Sequence, residues 1–208
     1  MKHILITRFD YPSSYPNIEE RIELFRRFTV PSIQNQLCQE FTWAIKTKLP
    51  LADLGVECMD VVAVSSFQDA YKLGQGSNRI ITTRIDNDDA VHTSYMAKIR
   101  FYAEKVKDGT FIDFNGYCYD SKNDKMYRSN KYIKGVSPFV SYVENYEDVH
   151  GVYRDNHMKL KNHGEILKID SHVWMQIIHN SNQKNKVSLG DKLLTPEQSK
   201  ELWTLFGK

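Results

Sequence analysis

The chain has 208 residues, with 28 Lys and Arg against 26 Asp and Glu, a formal net charge of +2. That balance gives neither nucleic acid nor an anionic membrane an electrostatic reason to be the partner, and no apolar run approaches the roughly 20 residues that cross a bilayer. The length suits one domain over residues 1–208, while Cys38, Cys58 and Cys118 are too scattered for a disulfide framework or a Cys-x-x-Cys zinc site and fit a reducing, cytoplasmic setting.

The opening Met-Lys-His-Ile-Leu-Ile-Thr-Arg is too short in its apolar part for a signal peptide and reads as a first strand over 3–8. Pro12, Ser13 and Ser14 make 10–15 a loop. Asn17 with Glu20 three residues on has the pattern of a capping box, and Ile18, Ile22 and Phe25 then share a helical face. Pro31 ends or kinks that helix and opens a short one through Gln36. Strands are predicted over 41–48, 56–64 and 79–85, with Gln75-Gly76-Ser77 as a loop between the last two. Tyr95, Ile99, Tyr102 and Val106 line one face of a helix that Asp108-Gly109 stops. Alternation predicts a strand over 111–119, followed by a polar turn or loop over 120–130. Further strands are expected over 139–143 and 165–170. Thr195-Pro196-Glu197-Gln198 is a helix start, and Leu202, Leu205 and Phe206 pack that helix before Gly207 ends it. The order predicts an α/β fold: a Rossmann-like N-terminal half joined to a mixed central sheet flanked by helices.

The most informative stretch is Ile80-Ile-Thr-Thr-Arg-Ile-Asp-Asn-Asp-Asp-Ala90. A β-branched run stops at three carboxylates in four positions. Such crowding is relieved when a hard cation sits among the oxygens. Residues two apart on a strand point the same way, so Asp86 and Asp88 are expected to share one ligand field at the carboxyl end of an α/β strand, with Asp89 turned toward a basic side chain or the next helix N-terminus. A plain turn with a helix cap is the competing reading. A calcium loop of the EF-hand kind is excluded, because Ala90 and Val91 stand where an oxygen ligand and a glycine are needed. An aspartyl-phosphate phosphatase carries its Asp-x-Asp after the first strand, not in mid-chain.

Other candidates surround this cluster. Arg84 is placed to meet a diphosphate bidentately or to pair with a neighbouring aspartate. Thr7 and Arg8 end the first strand beside the expected crevice. Glu144, after the strand Ser-Pro-Phe-Val-Ser-Tyr-Val, is the first candidate for a general base, with Glu147, Asp148 and Asp113 competing. Among His157, His163, His172 and His179, the last is the one expected to close a metal shell begun by the aspartates. Trp174 either stacks on a sugar or base or packs in the core.

The segments His3-Ile-Leu-Ile-Thr-Arg-Phe9, Thr82-Thr-Arg-Ile-Asp-Asn-Asp-Asp-Ala90, Ser137-Pro-Phe-Val-Ser-Tyr-Val-Glu144 and Trp174-Met-Gln-Ile-Ile-His-Asn-Ser-Asn182, in this order, resemble the putative rhamnosyl transferases, bacterial glycosyltransferases of the GT-A type. The likeness extends over most of the chain to about residue 182, and Pro31-Ser-Ile-Gln-Asn-Gln36 and Phe41-Thr-Trp43 add to it. The resemblance implies a GT-A fold, a nucleoside diphosphate sugar donor, a carbohydrate or other hydroxyl acceptor, and a divalent cation, Mn2+ or Mg2+. On that pattern Asp88 contacts the metal, Asp86 the ribose or the metal, and His179 stands where many GT-A enzymes add a metal-binding histidine. Transfer would serve glycan or cell-surface polysaccharide synthesis. The alternatives are a nucleotidyltransferase acting on sugar phosphates, against which the glycine-free loop 10–15 counts, and a non-catalytic carbohydrate-binding protein.

Overall fold

The computed structural model describes residues 1–56, 60–130, 132, 135–180 and 186–207; Cys58 and part of the strand expected over 56–64 lie outside them. The first strand, β1 (Lys2–Phe9), is buried almost continuously, as a strand covered on both faces must be. Leu5 and Phe9 enter one core with Phe25 and Trp43, while Ile4 and Ile6 enter the opposite core with Ala44, Val64 and Tyr71. Around it β2 (Thr42–Thr47), β3 (Val61–Val64) and β4 (Arg79–Asp86) complete a parallel set in the order β3-β2-β1-β4. This is the Rossmann-like half.

The sheet then becomes mixed. β8 (Ser141–Asn145) runs antiparallel to β4, and β6 (Thr110–Asp120) antiparallel to β8. The outer half of β6 pairs with β7 (Lys125–Ser129), which pairs with β10 (Lys192–Leu193). On its other edge β6 is parallel to β9 (Glu165–Ile178), and β9 carries the two-residue β5 (Ala90–Val91). The acidic segment is therefore strapped between the ends of β4 and β9.

Local chemistry explains several boundaries. After β1 the chain forms α1 (Ile18–Leu24), a π-turn over Phe25–Thr29 and α2 (Val30–Gln34), with Pro31 in the first turn of α2. A proline removes one amide donor, and a widened turn just before it absorbs the mismatch. The capping box expected at Asn17 is not made: Asn17 is left-handed (φ 65°) and its side chain does not cap. The one at the start of α5 (Pro196–Leu205) is complete, with Thr195 and Gln198 bonding each other's backbone N–H. Between them lie α3 (Phe67–Lys72), which the sequence reading did not predict, and α4 (Tyr95–Ala103), whose Tyr95, Met96, Ile99 and Ala103 are buried.

β9 is the largest departure. The expected strand over 165–170 continues to Ile178 through two register shifts against Phe114, Asn115 and Gly116. Irregularities of this kind break the alternation that sequence reading relies on. Gly116 lies beneath Trp174: a Cβ there would stand 2.0 Å from the indole, so only glycine lets the strands close at that point. No helix among the described residues is long and apolar enough to cross a membrane.

Candidate functional site

The carboxyl ends of β1 and β4 are adjacent, with Arg8 opposite Asp86. The chain order turns at this pair: β2 and β3 lie beyond β1, and β8 lies beyond β4. An α/β sheet opens a crevice at such a switch point. Here it is a cleft of about 480 Å³. Arg8, Arg84, Asp86, Asn87 and Asp88 line it from the strand ends, Tyr11, Tyr15 and Arg21 from the segment after β1, and Tyr132, Pro138, Tyr153, Asn156, His157 and Gln176 from the second half of the chain.

Asp88 anchors a buried polar triad. Its Oδ2 accepts from Arg21 Nη1 at 2.8 Å and from His179 Nε2 at 2.9 Å. The Arg21 and Asp88 side chains are 10% and 11% exposed, and that of His179 is 4% exposed. The fold thus brings together Asp88 and His179, the pair that sequence reading had joined across a long separation. Arg21 was missed: it looks like any basic residue on an amphipathic helix, and no local pattern marks it.

Asp86 and Asp88 both reach the cleft, but not by strand alternation, since β4 ends at Asp86 and a turn carries the next residues. Asn87 Nδ2 closes that turn onto the Arg8 carbonyl at 2.6 Å. Asp89 Oδ1 accepts the Ile177 N–H at 2.8 Å, and its carbonyl accepts the Thr29 hydroxyl at 2.8 Å. It fastens β9 and the π-turn to the acidic loop.

The Arg84 guanidinium lies over the Tyr153 ring at 4.5 Å and 3.8 Å from Asp86 Oδ1. Its Nε has no hydrogen-bond partner among the described residues. Tyr153 is itself stacked on Phe67, ring centroids 4.1 Å apart. Removal from bulk water raises the Asp86 pKa; the nearby Arg84 charge opposes that shift and the Asp88 charge adds to it. The cleft therefore presents arginines beside carboxylates, an arrangement that accepts an anion together with a cation.

Six sequence candidates lie elsewhere. Thr7 is fully buried below the crevice, where Oγ1 accepts from Trp43 Nε1 at 3.0 Å. Trp174 is core: it stacks on Phe139 at 4.6 Å and donates from Nε1 to the Phe114 carbonyl at 2.8 Å. Asp113 is buried with Ser137 and Lys168. Glu144 pairs with Ile80, six residues back along β4 from Asp86, roughly 20 Å away at the rise of a strand. Its oxygens accept the N–H groups of His150 and Gly151, both at 2.8 Å. It is a fastener for the segment that leads to Tyr153 and His157. Glu147 and Asp148 sit in the short helical turn that follows β8, outside the cleft. The sequence reading placed the carboxylate at the wrong end because β8 runs antiparallel to β4.

Burial pushes the Glu144 pKa up to about 7, against the two backbone N–H bonds that favour the carboxylate. An unfolded glutamate loses its proton near 4.5, so this group's contribution is complete below that pH and is lost as pH rises toward 7. Glu144→Gln is expected to flatten the slope of stability against pH across that window, measured by urea denaturation. Turnover should stay near that of the wild type; a tenfold loss, about 1.4 kcal/mol of transition-state stabilisation, would return Glu144 to the chemistry.

A metal can be tested against the donor set. Among the described residues no three His, Cys, Asp or Glu side chains form a ready-made cage. Mg2+ is usually held by one or two carboxylates together with substrate phosphates, and two donors at right angles on it lie about 3 Å apart. Asp88 Oδ2 and His179 Nε2, 2.9 Å apart, have that spacing, with Asp86 on the same cleft. The residues fit an ion whose shell a bound diphosphate completes; His179 must first release its Nε2 proton, and Arg21 shares the Asp88 oxygen.

Crystal structures of S. aureus TarS 1–349 share the fold. One has a TM-score of 0.51 at 12% identity, covering 85% of this chain and 60% of that one. Another, in complex with UDP, has a TM-score of 0.52 at 13% identity, covering 86% and 61%. The chain thus spans about three fifths of the length of these structures. The likeness is one of fold, an α/β architecture of GT-A type. A search of curated proteins returns no match. Residues 61–191, which include the acidic loop and most of the cleft wall, match the family described as "Putative rhamnosyl transferase". That span is well over half of the chain, and the protein belongs to this family.

Proposed function

We propose that the protein transfers a sugar from a nucleoside diphosphate sugar to a hydroxyl group of a carbohydrate or other acceptor, with a divalent cation, Mn2+ or Mg2+, in the cleft. The observation that carries this reading is the convergence of Arg8, Arg84, Asp86 and Asp88 at the carboxyl ends of β1 and β4 in a 480 Å³ cleft. Arg84 and Arg8 hold the diphosphate, and the guanidinium plane suits two phosphate oxygens. Asp88 and His179 are the protein ligands of the cation, with Asp86 beside them or on the ribose. When bound, the ion supplies Lewis-acid neutralisation of the departing diphosphate. Arg21 orients the Asp88 carboxylate. Tyr11 and Tyr15, ring centroids 4.6 Å apart, offer apolar surface for the nucleobase. The UDP bound to TarS makes UDP the first nucleotide to test.

The test is titration calorimetry with UDP, with and without Mn2+, followed by nucleoside diphosphate release from UDP-, GDP- and dTDP-sugars. UDP or another nucleoside diphosphate is expected to bind only with the cation, and Arg84→Ala is expected to weaken that binding about tenfold to a hundredfold, the worth of a charge-assisted pair. Failure of every nucleotide to bind would end this reading. Consumption of nucleoside triphosphate with a sugar 1-phosphate would favour a nucleotidyltransferase. Sugar binding without nucleotide binding would favour a carbohydrate-binding protein.

A further inference from the structure

We propose that His157 is the general base that receives the proton of the incoming acceptor hydroxyl. The inference rests on reading the cleft as the donor site. Of the described side chains that line the cleft, three have the chemistry of a general base: Asp86, Asp88 and His157. Asp88 gives one oxygen to both Arg21 and His179. Asp86 stands between Arg8 and Arg84, where the diphosphate charge is to be held. Neither carboxylate is placed to take a proton from an acceptor.

His157 is. It comes with Tyr153 and Asn156 from the segment that Glu144 pins through His150 and Gly151, on the part of the wall formed by the second half of the chain. Its Nδ1 lies 2.7 Å from the Val136 carbonyl. A carbonyl only accepts, so Nδ1 carries the hydrogen, and the neutral ring presents the Nε2 lone pair. Tyr132 meets the ring edge-on at 5.7 Å and limits its rotation. Among the described residues the charged groups facing it are Arg84 and Asp86 from β4 and Asp113 from β6, the last already paired with Lys168 of β9. Burial holds the imidazole pKa below its usual 6.5 and the Val136 bond partly offsets that shift, so the base is in its active form at neutral pH. The arrangement is that of a histidine whose tautomer is set by a backbone carbonyl.

The step balances as follows. The acceptor O–H proton passes to Nε2 while the acceptor oxygen forms its bond to the anomeric carbon. The bond from that carbon to the β-phosphate oxygen breaks, and its electron pair leaves with the nucleoside diphosphate. Attack from the face opposite the leaving group inverts the anomeric centre, and the imidazolium returns its proton to solvent.

The experiment compares wild type, His157→Gln and His157→Ala on whichever nucleotide sugar the wild type turns over, with water and methyl glycosides as acceptors. The expected loss in kcat is about 10²–10⁴-fold, with donor KM and UDP affinity unchanged. The wild-type rate should fall below the imidazole pKa as pH decreases, and that acidic limb should vanish in both variants. Added imidazole should restore part of the His157→Ala rate. Variants that keep kcat at the wild-type level, or that keep the acidic limb, overturn the assignment while leaving the donor site standing. A wild type that binds no nucleotide removes the donor-site reading and this inference together, and one that binds a nucleotide but turns over no donor overturns this inference alone.

Discussion

Asp88→Ala is expected to eliminate donor turnover and, separately, to cost the folded protein about 3–5 kcal/mol, the usual consequence of stripping one partner from a buried ion pair. Both effects follow from the same oxygen. The Asp88 carboxylate is the acceptor for Arg21 and His179, and the Arg21 side chain is only 10% exposed. Without the carboxylate a guanidinium is left in a site with little water. The motif alone suggests that such a substitution would spare the fold; the triad argues otherwise. Urea denaturation gives the stability and nucleoside diphosphate release gives the chemistry. The two are separable in a double variant. Arg21→Met added to Asp88→Ala also removes the guanidinium that has lost this carboxylate and is expected to recover most of the stability without recovering turnover. Recovery of turnover in the double variant would make Asp88 a structural residue alone.

Trp174→Ala is expected to cost about 3–5 kcal/mol, the range for emptying a large aromatic site in a core. The indole is 1% exposed, is stacked on Phe139, and covers Gly116 so closely that no side chain fits between. Its deletion opens a cavity between β6 and β9 and strands the Phe114 carbonyl. Trp174→Phe fills most of the space and loses the Nε1 hydrogen bond, a cost of about 1–3 kcal/mol. In both variants the folded fraction is expected to bind UDP as the wild type does, read by calorimetry below the unfolding transition. A loss of UDP affinity in Trp174→Phe at unchanged stability would restore the stacking role that the sequence left open.

The sequence disclosed what local chemistry determines. The apolar runs of β1 and β4, the apolar face of α4 and the Thr195–Gln198 cap are all short-range signals, and the structure contains each of them. The acidic loop was legible because three neighbouring carboxylates are costly without a purpose. What remained hidden depends on strand direction and on contacts far apart in the chain. Glu144 looked like a residue at a useful strand end until β8 proved antiparallel to β4. Thr7 sits where a crevice residue is expected by strand position, yet it points into the layers, and Trp174 takes the core alternative of its two readings. Arg21, Tyr153 and His157 carry no motif, and they converge on the cleft only after α1 and the segment beyond β8 have docked. Asn17 shows the opposite error: a good local pattern overruled by a left-handed backbone. β9 hid its length behind its register shifts.

The route by which β9 reaches the acidic loop bears on how the protein is made. During synthesis the parallel β3-β2-β1-β4 platform and its aspartates emerge from the ribosome well before β9, whose Ile177 and neighbouring His179 are their partners. Pairing across such a sequence gap is slow compared with helix formation. The acidic loop therefore reaches its final geometry only when β9 docks, because that strand brings the Ile177 N–H to Asp89 and leads to His179 beside Asp88.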